Sequence, residues 1–180
     1  MGEFTQVLKG RRSIRRFTDE PVSDESVNAI LEAVRWSPSW ANTQCWEIVV
    51  VKDQGVKERL AETLPKGNPA KKGLLQAPVV LGVAGRLNES GSYKGQVTTK
   101  LGDWYLFDLG IATQSILLAA ADQGLGTVVV GLYDLDAAAA VLNIPAGVQL
   151  VSLIPVGHPA KESLTPKRKE IAEFIHHETY

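Results

Sequence analysis

The residues best equipped for chemistry stand near the start of the chain. Arg11-Arg12-Ser13-Ile14-Arg15-Arg16-Phe17 follows a short predicted helix over Phe4 to Leu8. A guanidinium is a planar fork of N–H donors suited to phosphate, and the Ser13 hydroxyl adds another donor. In an extended segment alternate side chains share a face. Arg11, Ser13 and Arg15 would then point to one side, and Arg12, Ile14 and Arg16 to the other. That arrangement lays donors along an elongated anion. A solvated basic strand edge accounts for the same residues. Lys167, Arg168 and Lys169 form a second basic cluster near the end of the chain.

Pro38-Ser39-Trp40-Ala41-Asn42-Thr43-Gln44-Cys45-Trp46 lies between a predicted helix and a predicted strand. Amides can read the edge of a planar heterocycle, and an indole can cover its face. The alternative is a turn whose indoles fill the core. In Gly124-Leu125-Gly126-Thr127-Val128-Val129-Val130-Gly131 the glycines end a helix and open a strand. A dinucleotide-binding turn has the reverse order. Gly124 reads as a helix C-cap, and Gly131 as a place where backbone approaches a flat ligand.

Other chemistries lack their residues. There is no G-x-x-x-x-G-K-[ST] phosphate loop and no G-x-S-x-G elbow. His158, His176 and His177 have no ligand-spaced carboxylate pattern, so no metal site is expected. Cys45 is the single cysteine, which rules out an intramolecular disulfide and fits a reducing, cytoplasmic compartment. It reads as a buried small apolar residue rather than a nucleophile. Lys plus Arg number 19 against 20 Asp plus Glu, for a net charge of -1. That balance argues against nucleic acid or an anionic membrane as partner. No apolar run approaches the ~20 residues of a membrane span, and Met1 to Thr5 lacks a signal-peptide pattern. A soluble protein with small anion sites is expected.

The elements that must position these residues read as one domain over residues 1–180, of which 44% are hydrophobic. Ser23 to Trp36 is a helix, capped by Ser23, with Val27, Ile30, Leu31 and Val34 on one face. Glu47 to Lys52 is a strand buried on both faces. Asp53 caps a short helix with Val56, Leu60 and Leu64. Pro65 to Gly73 reads as a connection, Pro78 to Ala84 as a second strand, and Gly85 to Gly102 as a mobile surface loop. Asp103 to Gln123 is a long helix, apolar nearly all round and so expected to be central and buried. A third strand spans Thr127 to Val130. Asp134 caps a helix through Leu142, and Val148 to Val156 is a fourth strand. The charged tail from Pro159 carries Phe174 and Ile175, which suit docking onto a partner subunit. Helices and strands intermix, so the class is α+β.

Taken together these residues resemble the FMN-dependent nitroreductase family. Arg11 to Phe17, followed by Pro21-Val22, looks like its R-R-S-x-R-x-F motif. Pro38-Ser39, Asn42, Gln44 and Trp46 fit its P-S-x-x-N-x-Q-P-W loop, with Cys45 where the pattern has Pro and Trp40 bulkier than usual. Gly124-Leu125-Gly126-Thr127 with Gly131, and Val156-Gly157-His158-Pro159 with Pro166-Lys167-Arg168-Lys169, fit its remaining motifs.

The resemblance implies a central mixed sheet wrapped by helices, in a homodimer whose C-terminal extensions reach onto the partner. It implies FMN at the interface and NADH or NADPH as reductant. It also implies two-electron ping-pong transfer through flavin N5 to nitroaromatics, quinones or related small acceptors. By position, Arg11, Arg12, Ser13 and Arg15 would bind FMN, with Arg11 at the phosphate and Arg15 at the N1–O2 edge. Pro38, Ser39 and Asn42 would contact flavin from the other subunit. Gly131 and Leu132 would offer backbone N–H toward N5, and Lys167 and Arg168 would complete the phosphate site, with Lys169 a contender. Trp40, Trp104, Tyr105 and Tyr133 are candidates for the substrate pocket. Flavin destruction, dehalogenation, azoline oxidation and a flavin-binding module without turnover stay open beside this reading.

Overall fold

A computed structural model describes residues 2–161 and 163–180. In chain order the elements are α1 (Glu3–Gly10), α2 (Asp24–Arg35), β1 (Trp46–Val51), α3 (Gln54–Glu62), α4 (Lys71–Gln76) and β2 (Val79–Arg86). There follow β3 (Ser92–Tyr93), β4 (Gln96–Val97), α5 (Tyr105–Asp122), β5 (Gly126–Thr127), α6 (Leu135–Val141) and β6 (Val148–Gly157). Side-chain caps start three helices as their sequences demand. Ser23 accepts from the Ser26 N–H at 3.1 Å, Asp53 from Val56 at 2.8 Å and Asp134 from Ala137 at 3.0 Å. Each satisfies an N–H that the helix itself leaves open.

The main sheet has the order β1-β2-β6-β5, and its neighbours pair antiparallel. The expected mixed character comes down to one parallel bridge, Ser13 to Thr127. Strand β2 explains why the chain needs unbroken apolar runs. Its side chains alternate, so Val79, Leu81 and Val83 enter a core with α2 and α5, including Ile30, Leu109 and Ile116. Val80 and Ala84 enter a second core with α3, α4 and α6, including Leu60, Leu74 and Ala138. Helices therefore cover both faces. Each fully buried leucine contributes roughly 2 kcal/mol.

Several expectations need correction. The connection placed at 65–73 ends in α4, which starts at Lys71. Gly73 and the prolines and glycine just before the helix hide it locally, and burial of Leu74 supplies the stability that propensity does not. The surface loop placed at 85–102 begins inside β2, holds the β3–β4 hairpin, and buries Ser90 completely. Helix α5 is buried on one face only; Leu106 is 55% and Phe107 59% exposed in the single chain. The tail runs extended from an anchor beside residues 16–18. There the His158 carbonyl accepts from the Thr18 N–H at 3.0 Å, and the Ala160 N–H donates to the Arg16 carbonyl at 3.0 Å. Phe174 and Ile175 remain exposed.

Candidate functional site

The arginine segment is seated against β5. The Ile14 N–H donates to the Thr127 carbonyl at 2.8 Å, and the Ile14 side chain is buried. Only glycine at position 126 permits this, because a Cβ there would stand 2.7 Å from Ile14. On the other side, a Cβ on Gly73 of α4 would stand 2.7 Å from the Arg15 carbonyl oxygen. With Ile14 turned inward, Arg11, Arg12, Ser13 and Arg15 line a cavity of about 430 Å³. Ser163, Pro166 and Arg168 of the tail complete it. Arg168 thus joins the arginine cluster, whereas Lys167 and Lys169 are exposed and stand apart from this lining.

The cations in this cavity are held but not neutralised. Arg12 donates to the Lys9 carbonyl at 2.6 Å, to the Arg11 carbonyl at 2.8 Å and to the Thr165 hydroxyl. Arg168 donates to the Pro166 carbonyl at 3.0 Å. Among the described residues, none of Arg11, Arg12, Arg15, Arg16 and Arg168 pairs with a carboxylate. Convergent guanidinium groups without a counterion are matched to an anion. A broader hollow of about 800 Å³ adjoins on the α1 side, lined also by Val7, Ala121 and Leu125.

Arg15 lines a further cleft of about 450 Å³ with Pro65, Asn68, Val129, Gly131 and Leu132. A Cβ on Gly131 would meet nothing within 4 Å, so the cleft is open above it. The Asn68 amide donates to the Leu132 carbonyl at 3.1 Å and fixes this stretch. Among the described residues the Gly131 and Leu132 N–H groups have no acceptor. Open backbone donors beside apolar walls suit a flat ligand with a polar edge.

Residues 38–46 form a separate, strained construction. Ala41, Asn42 and Gln44 have φ of 45°, 56° and 50°, a region that L-residues avoid. The Gln44 N–H donates to the Ser39 hydroxyl at 2.9 Å, and the Gln44 amide to the Asn42 side-chain oxygen at 3.3 Å. Pro38, Ser39 and Asn42 line neither cavity of their own chain. The Trp40 N–H donates to Asp108 of α5 at 3.0 Å. Sequence reasoning missed Asp108; the available signal was a carboxylate set among apolar residues in the first turn of α5. Burial first, and the adjacent Asp108 carboxylate second, push the Cys45 thiol up to about 11. Cys45 is therefore the inert core residue its sequence context suggested.

The aromatic candidates divide. Trp104 Nε1 donates to the Thr99 hydroxyl at 2.7 Å, and its ring meets Phe107 edge-on at 5.0 Å between centroids. Tyr105 packs against the α2–α5 core, and burial raises its hydroxyl pKa. With Trp40 these residues gather around the first turn of α5. Tyr133 packs instead against the core of α3 and α6, where burial pushes its unpartnered hydroxyl up to about 12. None of the four lines the arginine cavity or the Gly131 cleft.

The chain is thus an α+β domain in which an arginine segment leads into a glycine-edged cleft. The model of the Nitroreductase family matches residues 8–158, and the chain belongs to that family. It is 33% identical to the FMN reductase [NAD(P)H] of Bacillus subtilis, over 100% of this chain and 75% of that protein. It is 28% identical to iodotyrosine deiodinase 1 of Sus scrofa, over 91% of this chain and 64% of that protein. A crystal structure of a putative NADH dehydrogenase/NAD(P)H nitroreductase from Parabacteroides distasonis superposes with a TM-score of 0.85 at 26% identity, covering both chains fully. Among the described residues no helix is long and apolar enough to cross a membrane, and no cluster of His, Cys, Asp and Glu could hold a metal ion.

Proposed function

We propose that this protein is an FMN-dependent oxidoreductase that takes electrons from NADH or NADPH and passes them to a small acceptor such as a nitroaromatic or a quinone. One observation carries the reading: Arg15 lines both the uncompensated arginine cavity and the open cleft beside Gly131. A phosphate at one end and a flat ring at the other is the shape of FMN. The residues present fit the group, since the free cations match the phosphate and the unfilled space at Gly131 admits a ring.

Bound FMN supplies the two-electron redox chemistry. Arg11, Arg12 and Arg168 would hold its phosphate by charge-assisted hydrogen bonds, with the Ser13 hydroxyl beside them. Arg15, which lines both cavities, would place a fixed positive charge near the ring and stabilise the negative charge that reduction brings. The Gly131 and Leu132 N–H groups would be free to donate to the ring, and Val129 and Leu132 would shield it from water.

The same reading makes the protein a homodimer. Pro38, Ser39 and Asn42 line neither the arginine cavity nor the Gly131 cleft of their own chain, which suits a site completed by a second copy. Exposed Leu106 and Phe107 of α5, with Phe174 and Ile175 of the tail, supply the apolar surface such a contact needs.

The test is anaerobic titration of the purified, FMN-loaded protein with NADH and NADPH, followed by nitroaromatics and quinones. Bleaching by either reductant and recovery with an acceptor are expected. A colourless protein that takes up no FMN would sink the proposal, and a yellow protein that neither reductant bleaches would leave a binding module. Arg15→Ala is expected to weaken FMN binding and lower its midpoint potential; no change in either removes Arg15 from its role. Sedimentation should give a dimer. The likeness to a deiodinase favours reductive dehalogenation as a second reading, tested by halide release from a halogenated phenol in the same panel.

A further inference from the structure

We propose that Asp108 is a positioning residue that locks the Trp40–Gln44 turn in its ligand-ready shape and ties it to the base of the β3–β4 hairpin. The flavin part of this proposal rests on the function proposed above. Asp108 is 1% exposed, in the first turn of α5. One carboxylate oxygen accepts the Trp40 N–H at 3.0 Å. The other accepts the Ser90 hydroxyl at 2.6 Å and the Cys45 thiol at 3.7 Å. Among the described residues no cation pairs with it.

A buried carboxylate without a cation is costly, and an apolar side chain would serve the core better. The helix N-terminus offsets part of that cost. The rest makes sense through what the carboxylate holds. Three consecutive-to-near residues, Ala41, Asn42 and Gln44, sit in the left-handed region. Strain of that kind persists only where the surroundings over-determine it. Bonds within the turn, from Asn42 N–H to the Ser39 carbonyl at 3.0 Å and from Thr43 N–H to the Trp40 carbonyl at 3.0 Å, shape it without attaching it to the body. Sheet pairing attaches the far end, where the Arg86 N–H donates to the Cys45 carbonyl at 2.8 Å. Asp108 attaches the near end.

The same carboxylate reaches the hairpin. Ser90 is fully buried, its carbonyl accepts the Trp104 N–H at 3.1 Å, and the neighbouring Gly91 carbonyl accepts the Thr98 N–H at 2.9 Å. A single group on a rigid helix thus fixes two loops that chain order separates by more than forty residues. A flavin-contacting turn and a hairpin beside the aromatic cluster of Trp40, Trp104 and Tyr105 become one unit.

The experiment compares Asp108→Ala, Asp108→Asn and Ser90→Ala in the full chain. Hydrogen exchange is read on the FMN-free protein, and FMN affinity by fluorescence titration. Asparagine keeps an oxygen for the Trp40 N–H and offers an amide N–H to Ser90. Asp108→Ala should speed exchange across residues 40–46 by about tenfold while residues 112–120 of α5 keep the wild-type rate, as loss of one charged buried hydrogen bond implies. Asp108→Asn should stay within about threefold of wild type, and Ser90→Ala should loosen residues 88–93 but not 40–44. FMN Kd should rise about tenfold in Asp108→Ala and recover in Asp108→Asn.

An unchanged turn, or equal acceleration in the turn and α5, overturns the clamp. A loosened turn with wild-type FMN affinity overturns the positioning role. Should wild type take up no FMN, the proposed function fails, and the exchange rates still judge the clamp. Should Asp108→Ala fail to fold, a wild-type pattern at 88–93 in Ser90→Ala overturns the coupling of the two loops.

Discussion

Residues 11–16 lie extended along β5 with no residue in the left-handed region, yet they crowd four arginines together without a carboxylate partner among the described residues. Residues 38–46 carry no charged side chain, yet hold three residues at positive φ. One region stores unfavourable electrostatics on relaxed backbone; the other stores backbone strain in a neutral segment. The first would be relieved by a bound anion, which neutralises it. The second persists where the surrounding fold over-determines it. Ligand-facing surfaces can therefore be prepared in two ways, and the two should respond differently to mutation and salt.

The largest effect should come from removing the stored charge. Arg11→Ala with Arg12→Ala is expected to weaken FMN binding by roughly 100-fold or more, as loss of two charge-assisted bonds implies. Thermal melting of the FMN-free form should stay unchanged or rise, since like-charge repulsion is removed. A fall in melting temperature would mean these arginines serve the fold. Next comes the seat itself. Gly126→Ala forces a Cβ to within 2.7 Å of Ile14, and the overpacking should cost about 1–3 kcal/mol in chemical denaturation.

Salt should separate the two regions. Raising ionic strength from about 0.05 to 0.5 M should weaken FMN binding by roughly tenfold through screening, while exchange protection of residues 40–46 stays the same. Loss of protection in step with affinity would show that charge holds the loop too. The smallest effect should be Ala41→Gly. Relief of about 1 kcal/mol of left-handed strain is offset by a similar gain in unfolded-state freedom. Denaturation should therefore move by no more than ~0.5 kcal/mol.

What the sequence made legible follows the same division. The donor chemistry of the arginine segment was readable because it is local, but period-2 alternation was not kept: Arg12, expected on the side of Ile14, lines the same cavity as Arg11, Ser13 and Arg15, because its guanidinium reaches back to Lys9 and across to Thr165. The caps at Ser23, Asp53 and Asp134 were readable because they too are local. Helix α4 was not, because Gly73 and the preceding Pro65, Gly67 and Pro69 argue against a helix until Leu74 is known to reach the core. The order at residues 88–102 was hidden because it rests on partners outside the segment's own pattern, with Asn88 held by Asp103 and Ser90 by Asp108. Asp108 itself passed unnoticed inside an apolar run whose periodicity suggested only burial. Helix α5 misled in the other direction. Its apolar residues all round promised complete burial, whereas Leu106 and Phe107 face outward in the single chain.

The burial of Cys45 has a consequence for how the protein would survive its own work. If nitro compounds and quinones are its acceptors, as proposed, the nitroso products of the first and the quinones themselves are electrophiles that add free thiolates. Cys45, the only thiol, is 0% exposed and has its pKa pushed up to about 11. At neutral pH it offers almost no thiolate. An oxidoreductase of the proposed kind would release reactive products past a surface with no exposed thiol, and so would resist inactivation by thiol modification during turnover.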